Sequence, residues 1–223
     1  DARQFEADMQ AFAARLVQDV LPAMEQPRGP QPPERRPEAR RGPAGAPPDE
    51  AARQMRGLQQ QLEELRQHGD PSQISVLVMR VAREHFERAM LFLVKSDELR
   101  GLAGFGSAPQ GESLNLLVRD VVIPLSEPSV FQRVVVDRKP FTGDWPDDKG
   151  GAGLLAKVGR FQARRLALLP LVTHRQTMAL LLGDNPETGR DPARLESLEV
   201  FLDQAGTALE NLLLQRKLQS LQP

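Results

Sequence analysis

The chain of 223 residues contains no cysteine. Disulfide bonds, thiolate metal sites and cysteine nucleophiles are therefore excluded. The absence is compatible with the cytoplasm, which is the location that we expect. It also means that no covalent cross-link stabilises the fold.

Aromatic residues are scarce as well, with nine Phe, one Trp and no Tyr. The core is therefore expected to be aliphatic. The 29 Lys and Arg residues nearly balance the 30 Asp and Glu residues, for a formal net charge of -1. This balance gives no reason to expect nucleic acid or a membrane surface as a partner. No apolar run approaches the ~20 residues that a membrane-spanning helix needs.

Signatures of catalysis are missing from the sequence. Residues 144–148 form an acidic stretch without the alternating ligands of a calcium loop. Two glycine clusters, at 101–106 and 150–153, lack the context of a phosphate-binding loop. We therefore expect no enzymatic activity, no metal and no cofactor. The histidines lie at no metal-binding spacing, and structural roles are expected for His68, His85 and His174.

The first 49 residues divide into two segments of different character. Residues 1–26 carry apolar side chains at helical spacing from Phe5 to Met24, which predicts an amphipathic helix. This helix either packs on a neighbouring element, the simpler interpretation, or binds a protein partner. Residues 27–49 are rich in Pro, Gly and Arg. They predict a disordered linker, because they carry too little apolar surface to offset chain entropy.

A second helical segment, residues 50–70, resembles a coiled coil. Its apolar residues follow a heptad spacing over about two and a half repeats, and Gly57 weakens the helix by about 1 kcal/mol. A further helix is predicted from Pro71 to about Glu87, because Asp70 is a good N-cap and proline suits the first helical position.

Two pairs of apolar segments predict two β-hairpins. The first pair is 88–95 and 98–107, and the second pair is 165–173 and 177–184. Polar residues separate the members of each pair. Two hairpins separated by helical segments predict an α+β fold with a central antiparallel sheet flanked by helices.

The region between the hairpins is the most irregular part of the sequence. It suggests a short helix near Leu114 and a short strand at 121–123. A helix at 129–137 would be capped by Ser126 or entered through Pro128. Residues 141–153 are predicted to be a loop, and 154–158 a single helical turn.

The last helix is predicted to begin at Asp191 and Pro192 and to run to about residue 221. Its apolar stripe is longer than one small sheet can cover, which predicts pairing with a second copy of the chain. With the heptad stripe of 50–70, it defines the candidate dimer interface: Leu58, Leu62, Leu65, Leu198, Leu202, Leu209 and Leu212.

Several local patterns resemble the GAF family of sensory and regulatory domains. They lie at residues 123–125, 129–131 and 138–140, where a short strand precedes a helix and a basic turn. Two more lie at 169–171 and 181–185, in the last two strands. The resemblance covers residues 71–218, and we expect a GAF-like domain with a long C-terminal helix over 71–221.

The resemblance implies a ligand-binding, dimerising module of a bacterial-type signalling protein. In such domains the region between the hairpins covers a ligand cavity, which makes Phe105, Phe131, Trp145 and Leu155 the candidate pocket residues. Bilin-binding members attach their chromophore to a cysteine, and this chain has none.

The sequence is compatible with two functions. The first is a regulatory module that binds a small molecule or a partner and transmits the change through its flanking helices. The second is a ligand-free scaffold that dimerises and recruits a protein partner. An enclosed cavity with convergent polar groups would favour the first, and a core filled with apolar side chains the second.

The linker at 27–49 can be tested by limited proteolysis. Trypsin is expected to cut first at its arginines, because a segment without an apolar set stays open to the protease. Mass spectrometry of early fragments identifies the cleavage sites. Protection of Arg35 to Arg41 in the isolated chain would contradict the prediction.

Overall fold

A computed structural model of the chain describes residues 48–67, 70–106, 108, 111–159, 163–174 and 176–220. The predicted helix at 1–26, almost all of the linker, and His68 lie outside these residues. The helices are α1 (Pro48–Gln67), α2 (Pro71–Ala82), α3 (Leu114–Arg119), α4 (Val130–Asp137), α5 (Lys149–Val158) and α6 (Glu196–Ser220). The strands are β1 (Arg88–Lys95), β2 (Glu98–Phe105), β3 (Val122–Pro124), β4 (Phe141–Asp144), β5 (Arg165–Val172) and β6 (Thr177–Asp184).

The strands form one antiparallel sheet in the order β3-β2-β1-β6-β5-β4. Both predicted hairpins are present, and β1 and β6 have the predicted bounds. The expected α+β fold with a central antiparallel sheet is therefore confirmed. The two central strands come from different hairpins, so their pairing joins the two halves of the domain.

The sheet separates two hydrophobic cores. On the short-helix face, Phe92 and Leu180 pack with α3, α4 and α5. On the long-helix face, Leu91 and Leu181 pack with α1, α2 and α6. Neighbouring residues of a strand point to opposite faces. Each central strand therefore contributes to both cores.

Side-chain caps fix where the helices of the domain begin. Asp70 accepts a hydrogen bond from the Ser72 amide at 3.1 Å and Pro71 opens α2, as predicted. The cap of α4 is Ser129, whose hydroxyl accepts from the Gln132 amide at 3.0 Å, so the prediction of Ser126 as the cap was wrong. Pro128, the alternative entry to the helix, directly precedes this cap.

Residues 141–153 were predicted to be a loop, and the structure corrects this. Residues 141–144 form β4, which extends the sheet by pairing with the start of β5. Asp148 then caps α5 through the Gly151 amide at 2.8 Å. A Cβ atom on Gly151 would lie 2.3 Å from the Pro146 carbonyl oxygen, so this position requires glycine. The glycine-rich composition thus reflects tight packing at a helix start.

The predicted start of the last helix was also wrong, since α6 begins at Glu196. The carboxylate of Asp191, the expected cap, instead accepts a hydrogen bond from Arg165 at 3.1 Å. Arg194 has φ 56°, a left-handed conformation that is incompatible with a continuing α-helix. At the other end of the domain, α1 begins at Pro48, two residues before the predicted helix. None of the described helices is both long and apolar enough to cross a membrane.

α6 lies directly against β5 at Gly206. A Cβ atom on Gly206 would lie 1.9 Å from the carbonyl oxygen of Val172. Because backbone atoms on both sides define this distance, a larger residue cannot be accommodated by a side-chain movement alone. Glycine at this position therefore sets how closely the long helix approaches the sheet.

Gly206→Ala is expected to destabilise the domain by about 1–3 kcal/mol, since overpacking forces the backbone to shift. The matched control is Gly153→Ala in α5, where a Cβ would meet nothing within 4 Å. That control should stabilise by up to ~1 kcal/mol through helix propensity. Urea unfolding measures both free energies. Equal stability of the two variants would show that α6 is not held this closely.

Candidate functional site

A buried ion pair lies at one end of the short-helix face. Arg88 begins β1, Asp184 ends β6, and the two residues are opposite each other in the sheet. Both side chains are fully buried. Arg88 Nε donates to Asp184 Oδ1 at 2.8 Å, and Nη2 donates to Oδ2 at 2.5 Å. This two-point geometry is the strong form of an arginine–carboxylate contact.

Arg88 also reaches the layer of helices above it. Its Nη1 donates to the carbonyl oxygen of Val158 at 2.7 Å. Val158 is the last residue of α5, where helix carbonyls lack intrahelical partners. The pair therefore attaches the C-terminal end of α5 to the two central strands.

Burial and pairing act on Asp184 in opposite directions. Burial is the largest influence and raises the pKa of its carboxyl, while the hydrogen bonds and the charge of Arg88 lower it. Because a guanidinium does not lose its proton in a protein, Arg88 stays charged. Protonation of Asp184 would leave that charge buried and uncompensated.

Trp145 supplies a further polar group beside the pair. The residue is only 4 % exposed. A hydrogen-bond interaction with its indole N–H lowers the pKa of the Asp184 carboxyl. By strict geometry the same N–H meets no acceptor among the described residues, so it is a weakly satisfied buried donor.

The short helices above this cluster are joined at their N-terminal ends by Asp148. Its Oδ1 accepts from the Gly151 amide in α5, and its Oδ2 accepts from the Val130 amide in α4 at 3.1 Å. One carboxylate therefore caps two helices. Together with the Arg88–Val158 contact, it fixes α5 at both ends.

Three of the four candidate pocket residues come together in this layer. Phe131 and Trp145 are buried in the short-helix core, and Leu155 is partly buried against it. Phe105 lies on the opposite face, because it pairs with Ala89 of the long-helix core. There the guanidinium of Arg83 lies 4.8 Å from the ring centroid of Phe105.

Sequence reasoning missed the ion pair itself. Arg88 and Asp184 were read as the polar ends of apolar strands. Arg88 nevertheless shares its side of the strand with Met90 and Phe92, two residues and four residues further on. A charge at an inward-facing position of an apolar strand was the available signal, and it indicates a buried partner.

The candidate dimer residues lie within the long-helix core of their own chain. The fully buried members are Leu65, Leu198, Leu202 and Leu209, and the partly buried members are Leu58, Leu62 and Leu212. α6 therefore covers its own sheet, with α1 and α2 packed beside it. The apolar side chains left exposed at these helices include Met55 at 58 %, Leu214 at 49 % and Leu218 at 64 %.

Polar contacts connect α4 with α6 around the β5–β6 turn. Thr177 Oγ1 donates to the Val135 carbonyl at 2.8 Å. Arg138 Nη1 donates to the His174 carbonyl at 3.5 Å. The His174 amide donates to Glu210 Oε2 at 2.9 Å, and the ring nitrogen Nδ1 lies at the same distance. These contacts link the end of α4 to α6 through the β5–β6 turn.

Metal chemistry finds no support among the described residues. No group of three or more His, Asp and Glu side chains there could hold an ion. His85 is partly buried, and this burial lowers the pKa of its imidazole. His174 has the hydrogen-bonding role given above, which agrees with a structural interpretation.

Comparison with known proteins places the fold but not a family. No protein-family model matches the sequence. No curated protein matches it either.

Solved structures do match. A methyl-accepting chemotaxis protein (residues 122 to 287) has 18% identity, covers 70% of this chain and 98% of its own, with a TM-score of 0.56. The phycocyanobilin-bound GAF domain from a cyanobacterial phytochrome has 16% identity, coverage of 73% and 96%, and a TM-score of 0.55. The GAF domain of a phosphoenolpyruvate-protein phosphotransferase from Coxiella burnetii has 15% identity and a TM-score of 0.52. The match covers 76% of this chain and 98% of that domain. The chain has the GAF fold.

Removing one partner of the buried pair is expected to destabilise the domain, whereas replacing both partners by apolar residues is expected to change its stability little. Asp184→Asn should destabilise by about 3–5 kcal/mol, because it leaves the Arg88 charge buried without a counter-ion. The double variant Arg88→Met with Asp184→Leu should recover most of that loss. Chemical unfolding of each variant gives the free energies.

The control for this prediction is an exposed ion pair. Lys149 and Glu127 are 84% and 53% exposed, and Glu127→Gln should change stability by less than ~1 kcal/mol. A loss of that small size for Asp184→Asn would mean that the interior around the pair is hydrated and that the pair is not buried in solution.

Proposed function

We propose that the chain is a non-enzymatic regulatory module of a signalling protein. A small molecule or partner binds at the short-helix face, and the change reaches a homodimer through the flanking helices. The observation that carries this proposal is the buried Trp145 indole N–H, which interacts with the Asp184 carboxyl but has no acceptor at strict hydrogen-bond geometry among the described residues. The GAF fold of the chain, which it shares with parts of signalling proteins, supports it.

The position of the cluster suggests how binding is transmitted. A ligand that offers an acceptor to Trp145 and a donor to the Asp184 carboxylate would be linked through Arg88 to the end of α5. β1 and β6 lie directly below and are buried on both faces. Because a close-packed layer transmits displacement, a shift there moves the packing of α2 and α6 on the other face.

The homodimer is proposed to form at the ends of α1 and α6 that the domain leaves uncovered. Met55, Leu214 and Leu218 are exposed there, whereas the leucines nearer the sheet are occupied within the chain. Burial of exposed leucines contributes ~25 cal/mol per Å². A ligand that moves α6 would change how these surfaces meet.

A ligand-free scaffold is the alternative, and a specific observation favours it. The middle of the short-helix face is filled by apolar side chains that are almost fully buried, including Phe92, Phe131, Leu168 and Leu180. In this alternative the domain only supports dimerisation, and the segment at 1–26 recruits a protein partner.

The single tryptophan of the chain reports directly on the proposed site. Titration with a panel of nucleotides, amino acids and carboxylic acids is expected to yield at least one compound that changes Trp145 emission saturably. The same compound should shift the monomer–dimer equilibrium measured by sedimentation. Trp145→Phe keeps the aromatic ring and removes the N–H, and should weaken binding measured by calorimetry at least about tenfold.

Sedimentation of variants completes the test. Leu214→Glu with Leu218→Glu should give a monomer, while the control Val136→Glu, 63% exposed on α4, should not. The scaffold is supported instead if no compound of the panel changes Trp145 emission, the wild-type chain is a dimer, and the double variant is a monomer. A wild-type chain that is monomeric at micromolar concentration refutes the dimer in both proposals.

A further inference from the structure

A groove lies where α4, β5 and α6 meet, away from the short-helix face. It opens at the sheet edge, beyond the point where β4 stops pairing with β5. Its volume is about 190 Å³. The lining residues are Arg138, Pro140, Leu169, Pro170, Val172, Glu199, Leu202 and Asp203.

The floor of the groove is apolar and its strand edge is closed to a further strand. Leu169 and Leu202, each 1% exposed, form the bottom. Pro170 has no N–H to donate, and the Val172 carbonyl is covered by the α6 backbone at Gly206. An extended peptide therefore cannot add to this edge through a full backbone ladder, so an occupant has to be held by side chains.

Charges of both signs line the groove. Glu199 and Asp203 are four residues apart on α6 and therefore share one side of the helix. Within the described part of the chain, no ion pair is formed by either carboxylate. Burial, followed by the neighbouring Glu196 carboxylate, raises the pKa of Glu199. A cation placed here would relieve that repulsion.

The opposite side of the groove carries a guanidinium. Arg138 ends α4 with φ 57°, and its Nη1 donates to the His174 carbonyl. A guanidinium has five N–H donors in a fork that suits a carboxylate. The groove thus presents two carboxylates, one guanidinium and an apolar floor within one small volume.

We propose that this groove binds a small aliphatic amino acid as its zwitterion. The ammonium group is held by Glu199 and Asp203, the carboxylate by Arg138, and the side chain lies on Leu169 and Leu202. Valine is a small aliphatic amino acid of this kind. The bound amino acid would join the end of α4 to the first turns of α6. This site does not depend on a ligand at the short-helix face.

The test uses L-valine and two analogues with the full-length chain in calorimetry. 3-Methylbutanoate lacks the ammonium group of valine, and 2-methylpropan-1-amine lacks the carboxylate. Each analogue is expected to bind at least about tenfold more weakly than valine, because each loses one charge-assisted contact. Trp145 emission should not change, which separates this site from the one proposed above.

Variants locate the binding. Glu199→Gln with Asp203→Asn should weaken valine at least about tenfold and leave 3-methylbutanoate unaffected. Arg138→Asn, which tolerates a left-handed backbone, should weaken valine and leave the amine unaffected. The control Glu196→Gln, in α6 but outside the groove, should have the smallest effect. Thermal melting checks that each variant is folded.

Three results would overturn the proposal. The first is that valine gives no saturable heat with the wild-type chain. The second is that the analogue without an ammonium group binds as tightly as valine. The third is that the folded carboxamide variant binds valine unchanged. Any one of these means that the groove does not recognise a zwitterion.

Discussion

The pairing of β1 with β6 is the contact on which the rest of the domain depends. The two strands come from hairpins that are 96 residues apart where Arg88 meets Asp184. All eight residues of β6 and the first six of β1 are buried. β2 and β5 each pair with one of these two strands, and β3 and β4 attach through β2 and β5. Each core draws half of its strand residues from β1 and β6. Neither core can therefore form without this pairing.

The ion pair at the end of these strands adds a constraint on register. Arg88 faces Asp184 in the observed alignment. A slip of one strand by one residue would turn one charge to the opposite face from the other and leave both buried without a partner, which costs far more than the pair contributes. Two long apolar strands have many alignments of similar hydrophobic energy. The pair selects one of them, and it also orients α5 through Val158.

The sequence predicted most of the sheet, because its signals there are local. The strands at 88–95 and 177–184 are apolar runs bounded by polar turns, and both bounds were right. β4 was missed because residues 141–144 have no apolar pattern. They form a strand because their backbone pairs with the edge of β5. The start of α6 was misplaced because Asp191 looks like a cap, and its contact with Arg165 is not visible locally.

The candidate site was predictable only in part for the same reason. Trp145 stood out as a lone tryptophan in a polar stretch. Arg88 and Asp184 are 96 residues apart, so an inward-facing charge in a strand indicates a buried partner without identifying it. Phe105 was a pocket candidate through the family resemblance, whereas strand pairing with Ala89 decides its side of the sheet.

The shared cap at Asp148 makes α4 and α5 a single cooperative unit. Because one carboxylate satisfies an amide at the start of each helix, fraying of one exposes the start of the other. Amide hydrogens at Val130 and Gly151 should then exchange through a common opening. Substitutions that weaken the two helix starts will be non-additive for the same reason.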